Sequence, residues 1–277
     1  MTTPAAASGL PPGGFADDPT GPVGPLPPAV PPVPPLGRGR ADRPSLGWAE
    51  IGVAAAVYLE AQLVLGGLLV VAYGFSRGGG AAVLGGSSAA SLPPASLPPA
   101  PLLVAVSAVA AFAAAGTAVA IRAGATVALG LRRVSWRVVL AAIGIGIGVW
   151  AASRIVILAY VEITGDISDP QEELRFAGPV AAALMLVLAG VVVPCGEELL
   201  FRGVLFGALR RYGFVIAAAT SGLVFGLAHG LNAVLPAAAL LGVVNCLLYE
   251  RTRSVIPGML VHILFNLLSL VLFLVLG

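Results

Sequence analysis

Apolar residues in this chain fall into seven long runs separated by polar or charged stretches. The runs cover about residues 46–75, 101–122, 138–162, 179–211, 213–231, 234–250 and 255–276. Most of them approach or exceed the roughly 20 residues that an α-helix needs to cross a bilayer. The pattern therefore predicts an all-α protein, a polytopic transmembrane helical bundle of about seven spans.

The fourth run, 179–211, is longer than one perpendicular span requires, because each helical residue adds about 1.5 Å of length. Pro194 lies inside this run and is expected to kink the helix, since proline has no backbone N–H and crowds the preceding turn. Splitting the run into two helices would give an eighth span, which is the alternative to seven.

The arginines favour seven spans. They cluster at alternate ends of the runs: Arg38, Arg40, Arg43, Arg122, Arg132, Arg133, Arg137, Arg210, Arg211, Arg251 and Arg253. The intervening loops carry few basic residues, and basic loops usually face the cytosol. The pattern predicts a cytosolic amino terminus and an outer carboxyl terminus. An eighth span would break this alternation.

Composition supports membrane residence. The chain of 277 residues is 58% hydrophobic and 10% charged, with a mean hydropathy of +0.99. An average soluble domain has about 25% charged residues. All 15 basic residues are arginine, and alanine, glycine, proline and valine are abundant, which suggests a GC-rich bacterial genome. We expect a multi-pass protein of the bacterial plasma membrane whose partner is the lipid bilayer, with no nucleic acid.

Three regions divide the chain. Residues 1–45 contain 13 of the 23 prolines and are predicted to form a disordered, proline-rich cytosolic tail. The stretch 31–35 within it could bind a partner that recognises polyproline helices. Residues 46–175 are predicted to form amino-terminal transmembrane helices and loops, and residues 176–277 a transmembrane core that carries the chemistry.

Ionisable residues in the last spans are exceptions to their apolar surroundings. A charged side chain at the centre of a membrane helix costs about 2.5–3.5 kcal/mol on insertion scales, so it needs a partner or a function. Three short patterns contain these residues: Glu197-Glu198-x-x-x-Arg202, Phe225-x-x-x-His229 and His262-x-x-x-Asn266. They are the candidate functional site.

The first pattern predicts an ion pair. Residues four apart lie on the same helix face, so Glu198 and Arg202 can pair in the favourable order. Glu197 lies about 100° further around the helix and has no local cation. We expect Glu198 and Arg202 to stabilise the helix while Glu197 faces the site. The alternative is that all three only stabilise helix packing.

The other two patterns add bases and donors. A carboxylate at Glu197, imidazoles at His229 and His262 and a carboxamide at Asn266 can together activate water and stabilise an oxyanion. Those are the groups required to hydrolyse an amide bond.

Other polar residues lie outside these patterns. Asn232 and Asn245 are predicted to form hydrogen bonds between helices, a common use of membrane amides. Arg154, near the end of the third run, is expected to extend its charged group to the membrane interface.

At the three patterns the chain resembles the CPBP family, the CAAX-protease and bacteriocin-processing (Abi) group of intramembrane proteases. The resemblance covers about residues 180–270 and rests on the order and spacing of all three. Arg251-Thr252-Arg253-Ser254 also resembles an Arg-Thr-Gly-Ser connection of the family, with Arg253 in place of the glycine.

The resemblance implies roles for individual residues. Glu197 and His229 would activate the attacking water, and His262 and Asn266 would stabilise the oxyanion. Glu198, Arg202 and Phe225 would be supporting residues.

Metal dependence stays open at this point. The family is often classed with the metalloproteases, and Glu197, His229 and His262 could hold Zn²⁺ with water in the fourth position. The chain has no His-Glu-x-x-His pattern, and the glutamate mechanism already uses both histidines. A metal-independent mechanism is therefore favoured.

Together, the three patterns and the resemblance predict an intramembrane endopeptidase that acts on a membrane-associated protein or peptide. One alternative is an ion- or proton-coupled transporter that uses the same groups as a relay. Many such transporters contain inverted repeats, and the two halves of this chain do not match in this way. A second alternative is a catalytically inactive scaffold or immunity protein.

Overall fold

The computed structural model describes residues 46–78, 85, 97–121, 129–166 and 178–276, so the proline-rich tail and its predicted partner lie outside the described residues. The fold is helical, as predicted. Its long helices are α1 (Trp48–Ser76), α2 (Ala100–Ile121), α3 (Trp136–Thr164), α4 (Pro179–Tyr212), α5 (Phe214–Leu227), α6 (Val234–Thr252) and α7 (Ile256–Leu276).

Each predicted apolar run corresponds to one of these helices. Six of the helices in the described part of the chain are long and apolar enough to cross a membrane, and α5 is a shorter apolar helix of 14 residues. The fifth helix ends at Leu227, four residues before the hydropathy pattern predicts. Gly230 then adopts a φ of +96°, which turns the chain towards α6. The chain is a multi-pass membrane protein, and its orientation stays a prediction.

Helix α4 is continuous through Pro194, so the described residues do not form an eighth span by division of this run. Two π-helical segments, Leu188–Val192 and Leu199–Phe206, flank a short α-helical segment. In the first, the N–H of Val193 bonds to the carbonyl of Leu188, five residues earlier. The next bond in that register would run from residue 194 to Ala189, and proline has no N–H to form it. The carbonyl of Ala189 is therefore left without a backbone donor inside the bundle.

Helix pairs surround α4. Helix α1 packs against α2, α3 packs against α7, and α5 packs against α6, while α4 contacts α2, α5 and α7. The main apolar core includes Phe225, Leu241 and Val261, all at most 1% exposed. Helices α5 and α6 approach closely where Gly222 faces Gly242. Small residues at such crossings allow two backbones to approach.

The connection between α6 and α7 is fixed to the segment before α3. Ser254 Oγ donates to the carbonyl of Arg132 over 2.7 Å, and the N–H of Val255 donates to the carbonyl of Gly130 over 2.9 Å. Arg253 has a φ of +55°, the left-handed conformation that glycine adopts most readily. The arginine therefore takes the backbone shape that a glycine would favour at this turn.

Candidate active site

The carboxylate of Glu198 connects three helices. It is fully buried, and its Oε1 atom lies 3.0 Å from Arg202 Nη1 on the same helix. The same oxygen accepts hydrogen bonds from Asn245 Nδ2 on α6 over 2.8 Å and from His262 Nδ1 on α7 over 3.1 Å. Glu198 therefore fixes α4, α6 and α7 relative to one another.

Arg202 forms the ion pair that the four-residue spacing predicts. Its side chain is fully buried, and its guanidinium carbon lies 4.5 Å from the centre of the Phe225 ring on α5. A desolvated cation over an aromatic face gains roughly 2 kcal/mol. Arg202 thus joins α5 to the helices that Glu198 connects.

Glu197 occupies a different environment from its neighbour. Its side chain is 12% exposed, and its Oε2 atom lies 3.7 Å from His262 Nε2. That separation is longer than a hydrogen bond. The two nitrogens of one imidazole therefore face two consecutive carboxylates, Nδ1 towards Glu198 and Nε2 towards Glu197.

The contact with Glu198 determines which nitrogen of His262 carries a proton. An ionised carboxylate can only accept hydrogen bonds, so Nδ1 of His262 is the donor. Nε2 is then the atom that is available on the Glu197 side. His262 is 1% exposed, so its ring is held by these contacts within the bundle.

His229 follows the end of α5 and is held in a short turn. Its Nδ1 atom lies 2.8 Å from the carbonyl of Phe225, which makes Nδ1 the donor and leaves a lone pair on Nε2. Asn232 Nδ2 donates to the carbonyl of His229, and Asn232 Oδ1 accepts from the N–H of Val234. The prediction that Asn232 bonds between helices is therefore wrong, because its amide instead closes the turn between α5 and α6.

The ring of Phe225 brings the two histidines together. Its centre lies 4.7 Å from that of His229 and 5.4 Å from that of His262, both in edge-to-face geometry. Phe225 is fully buried. The three sequence patterns thus meet around one aromatic ring, although they lie on three different helices and the turn after α5.

Asn266 contacts the backbone of α4. Its Nδ2 atom donates to the carbonyl of Ala189 over 2.9 Å, the carbonyl that Pro194 leaves free. An asparagine amide has two N–H donors, so one remains after this bond. Asn266 therefore has a structural contact that its sequence pattern does not predict.

The helices that carry the site, α4 to α7, are similar to a known protein family. Residues 179–268 match the family described as "Type II CAAX prenyl endopeptidase Rce1-like". This match supports a similarity of α4 to α7 to the CPBP family. The resemblance that the three patterns predict is thereby confirmed.

Two curated relatives are similar over part of their length. The "Putative membrane peptidase YdiL" of Bacillus subtilis (strain 168) is 31% identical over 87 residues, 31% of this chain and 36% of that protein. The "Membrane-embedded CAAX protease MroQ" of Staphylococcus aureus (strain USA300) is 31% identical over 90 residues, 30% of this chain and 36% of that protein. The chain thus spans about a third of the length of these relatives. No solved structure matches it.

Asn245 is a residue of the matched region whose importance sequence reasoning did not recognise. The predicted hydrogen bond between helices is confirmed, since Asn245 Nδ2 lies 2.8 Å from Glu198 Oε1 and 3.3 Å from the carbonyl of Gly258. A Cβ atom on Gly258 would lie only 2.9 Å from Glu198 Oε2. An asparagine within an apolar run was the signal in the sequence, but its partner could not be predicted from residue spacing.

Glu197, His229 and His262 are residue types that can bind zinc. Tetrahedral zinc sites need three or four converging nitrogen, sulfur or carboxylate donors. Among the described residues, no three His, Cys, Asp or Glu side chains are arranged to hold a metal ion. His262 Nδ1 and His229 Nδ1 contact Glu198 and the carbonyl of Phe225, so only their Nε2 atoms could bind a metal, and these do not converge with a third donor among the described residues. Glu197, His229 and His262 in this arrangement do not fit a metal centre.

Proposed function

We propose that this chain is an intramembrane endopeptidase that hydrolyses a peptide bond of a membrane-associated protein or peptide. The observation that carries the proposal is the approach of Glu197 Oε2 to 3.7 Å from His262 Nε2 within helices that are otherwise apolar. The match of residues 179–268 to the CAAX endopeptidase family, together with two relatives named as a putative membrane peptidase and a CAAX protease, supports a peptidase.

Glu197 is the group that activates water in this proposal. Two polar atoms 3.7 Å apart can both hydrogen-bond to one oxygen atom placed beside them, since each bond needs only about 2.8 Å. The carboxylate accepts a proton from that water, and the resulting hydroxide attacks the carbonyl carbon of the peptide. His229 supports this step as a second base, because its Nε2 atom keeps a lone pair.

His262 and Asn266 stabilise the oxyanion that forms. The donors are His262 Nε2–H and the second N–H of Asn266. When both nitrogens of His262 carry protons, the two positive charges of His262 and Arg202 balance the two negative charges of Glu197 and Glu198. The proton taken from water then passes to the leaving nitrogen as the C–N bond breaks.

The proposal is tested with purified protein in lipid nanodiscs and a degenerate mixture of apolar peptides, with cleavage followed by mass spectrometry. Glu197→Gln, His229→Ala and His262→Ala are each expected to lower the rate by about 10²-fold or more, the usual contribution of a general acid or base. Glu60→Gln is the matched control, because Glu60 is an exposed carboxylate on α1. It should leave the rate unchanged.

Each outcome distinguishes between the candidate functions. If all three site variants cleave the peptides at the full rate, the proposed peptidase function is refuted. Ion flux into proteoliposomes that depends on Glu197, without any cleavage, would favour a transporter. An SDS titration of each variant shows whether it still folds, so a lost rate is not confused with a lost structure.

A further inference from the structure

An arginine of α3 packs against α7, the helix that carries His262 and Asn266. Arg154 on α3 is only partly buried, and its guanidinium carbon lies 5.7 Å from the ring centre of Trp150 and 6.0 Å from that of Phe265 on α7. Phe265 is near the middle of the 21-residue helix Ile256–Leu276. The side chain of Arg154 lies over the preceding turn of α3, because helical side chains lean towards the amino end of their helix, and so it points away from the carboxyl end of α3, where the sequence predicts the interface.

The charge of Arg154 is not balanced by a carboxylate in the part of the chain that the structure describes. Its Nε and Nη2 atoms donate to Ser153 Oγ over 3.3 and 3.1 Å. Ser153 is fully buried, and its hydroxyl donates to the carbonyl of Trp150 over 2.7 Å. A guanidinium has five N–H donors, so most of them remain available.

Two side chains on the helices that carry and contact Arg154 have unused donors. Trp150 Nε1 and Ser269 Oγ are buried and have no hydrogen-bond partner among the described residues. Ser269 lies one turn beyond Phe265 on α7. Indole N–H and guanidinium N–H groups can only donate. This group of side chains therefore needs an acceptor, and a negatively charged oxygen would satisfy both the donors and the charge.

The position of these donors relates them to the proposed chemistry. His262, Phe265, Asn266 and Ser269 are spaced by three and four residues, so they share one face of α7. From the rise of a helix, Arg154 lies on the order of 10 Å from His262. An extended peptide covers that distance in about three residues. A substrate held at His262 would bring a nearby carboxylate to Arg154.

We propose that Arg154, with the N–H of Trp150 and the hydroxyl of Ser269, binds a carboxylate of the peptide substrate. The carboxylate is either the free carboxyl terminus or an Asp or Glu side chain close to the scissile bond. A carboxylate and a guanidinium are each costly within a membrane, and pairing them reduces both costs. The inference rests on the proposed peptidase function and makes Arg154 a specificity-determining residue.

The test uses full-length protein in phosphatidylcholine nanodiscs and apolar decapeptides in four forms. These are a free acid, its carboxyl-terminal amide, an amide with one Glu, and the same amide with Gln in place of Glu. Cleavage rates give kcat/KM, and fluorescence anisotropy gives binding to the Glu197→Gln variant. The carboxylate member of one pair should be preferred about tenfold or more, the size expected for one charge-assisted hydrogen bond. The pair that shows the preference identifies the source of the carboxylate.

Variants of Arg154 test whether the preference depends on its side chain. Arg154→Gln should reduce the ratio between acid and amide to about one, while Arg154→Lys keeps a cation and should retain part of it. Arg137→Gln is the matched control, because Arg137 lies on the same helix with its guanidinium 5.6 Å from the Trp136 ring. It should leave the ratio unchanged. If Arg154→Gln does not fold, the lysine variant and the peptide pairs on the unmodified protein decide the question.

The outcomes separate this inference from the proposed function. Cleavage of all four peptide forms at equal rates overturns the carboxylate site and leaves the peptidase standing. Arg154-dependent binding of the carboxylate forms without any cleavage supports the site and refutes the peptidase. Absence of both cleavage and carboxylate-dependent binding overturns both. Arg154-dependent enrichment of phosphatidylglycerol in mixed nanodiscs, with equal peptide rates, would assign the donors to a lipid phosphate and overturn the inference.

Discussion

Replacing Arg202 by Met is expected to destabilise the bundle by about 3–5 kcal/mol, the usual cost of leaving one member of a buried ion pair alone. Arg202 Nη1 lies 3.0 Å from Glu198 Oε1, and both side chains are fully buried. At this separation and an effective dielectric constant of about 20, the Coulomb attraction amounts to about 5 kcal/mol. Methionine fills much of the same volume and can still pack against the ring of Phe225, so the lost charge dominates the effect.

A double-mutant cycle separates the ion pair from packing. Glu198→Gln removes the partner charge but keeps an oxygen that can accept from Asn245 and His262. Each single variant leaves one buried charge, and the double variant leaves none. The double variant should therefore be more stable than the sum of the single losses predicts, by about 2 kcal/mol. The free energy of unfolding is measured by SDS titration in mixed micelles.

The control for this cycle is Arg251→Met, at an exposed arginine near the end of α6. It should change the free energy of unfolding by no more than about 0.5 kcal/mol. The claim that the buried pair stabilises the bundle is refuted by either of two results. One is that Arg202→Met costs no more than this control. The other is that the losses of unfolding free energy in Arg202→Met and Glu198→Gln simply add in the double variant.

Three further perturbations test the site. Gly258→Ala places a Cβ atom 2.9 Å from a buried carboxylate oxygen of Glu198 and should cost about 1–3 kcal/mol of stability. Its control is Gly116→Ala, whose Cβ atom would meet nothing within 4 Å and which should be neutral or stabilising. Asn266→Ala should cost about 1–2 kcal/mol by leaving the Ala189 carbonyl without a donor. In a Pro194→Ala background the restored N–H can replace that donor, so an equal cost in both backgrounds would contradict the π-helical explanation. Treatment with 1,10-phenanthroline should leave peptide cleavage unchanged, and a loss that zinc restores would contradict this.

The helices could be predicted because each is bounded by residues that interrupt an apolar run. The third run was expected over 138–162 and forms Trp136–Thr164, between a basic segment and an acidic one. The fifth run shows the limit of this approach. The predicted span extends to residue 231, but the turn at Gly230 ends the helix at Leu227. Hydropathy measures preference for lipid and does not report a change of backbone direction.

The local part of the site could also be predicted, and the non-local part could not. The pairing of Glu198 with Arg202 follows from helical spacing alone. The bonds from Asn245 and His262 to the same oxygen depend on how α6 and α7 pack against α4, which no sequence distance specifies. Similarly, the bond of Asn266 to Ala189 depends on the π-helical register around Pro194. If this run were an ordinary α-helix, Pro194 would instead leave the carbonyl of Gly190 without a backbone donor.

The adjacent glutamates show how one helix can supply both stability and chemistry. Consecutive helical residues point about 100° apart, so Glu197 and Glu198 can both face one imidazole only if its ring lies between their two directions. His262 occupies that position, with Nδ1 at Glu198 and Nε2 at Glu197. Glu198 is fully buried and holds the ring, whereas Glu197 keeps some exposure and a gap that an oxygen atom can occupy. In the proposed function, this difference in environment, rather than in residue type, is what suits Glu197 and not Glu198 to act on a substrate.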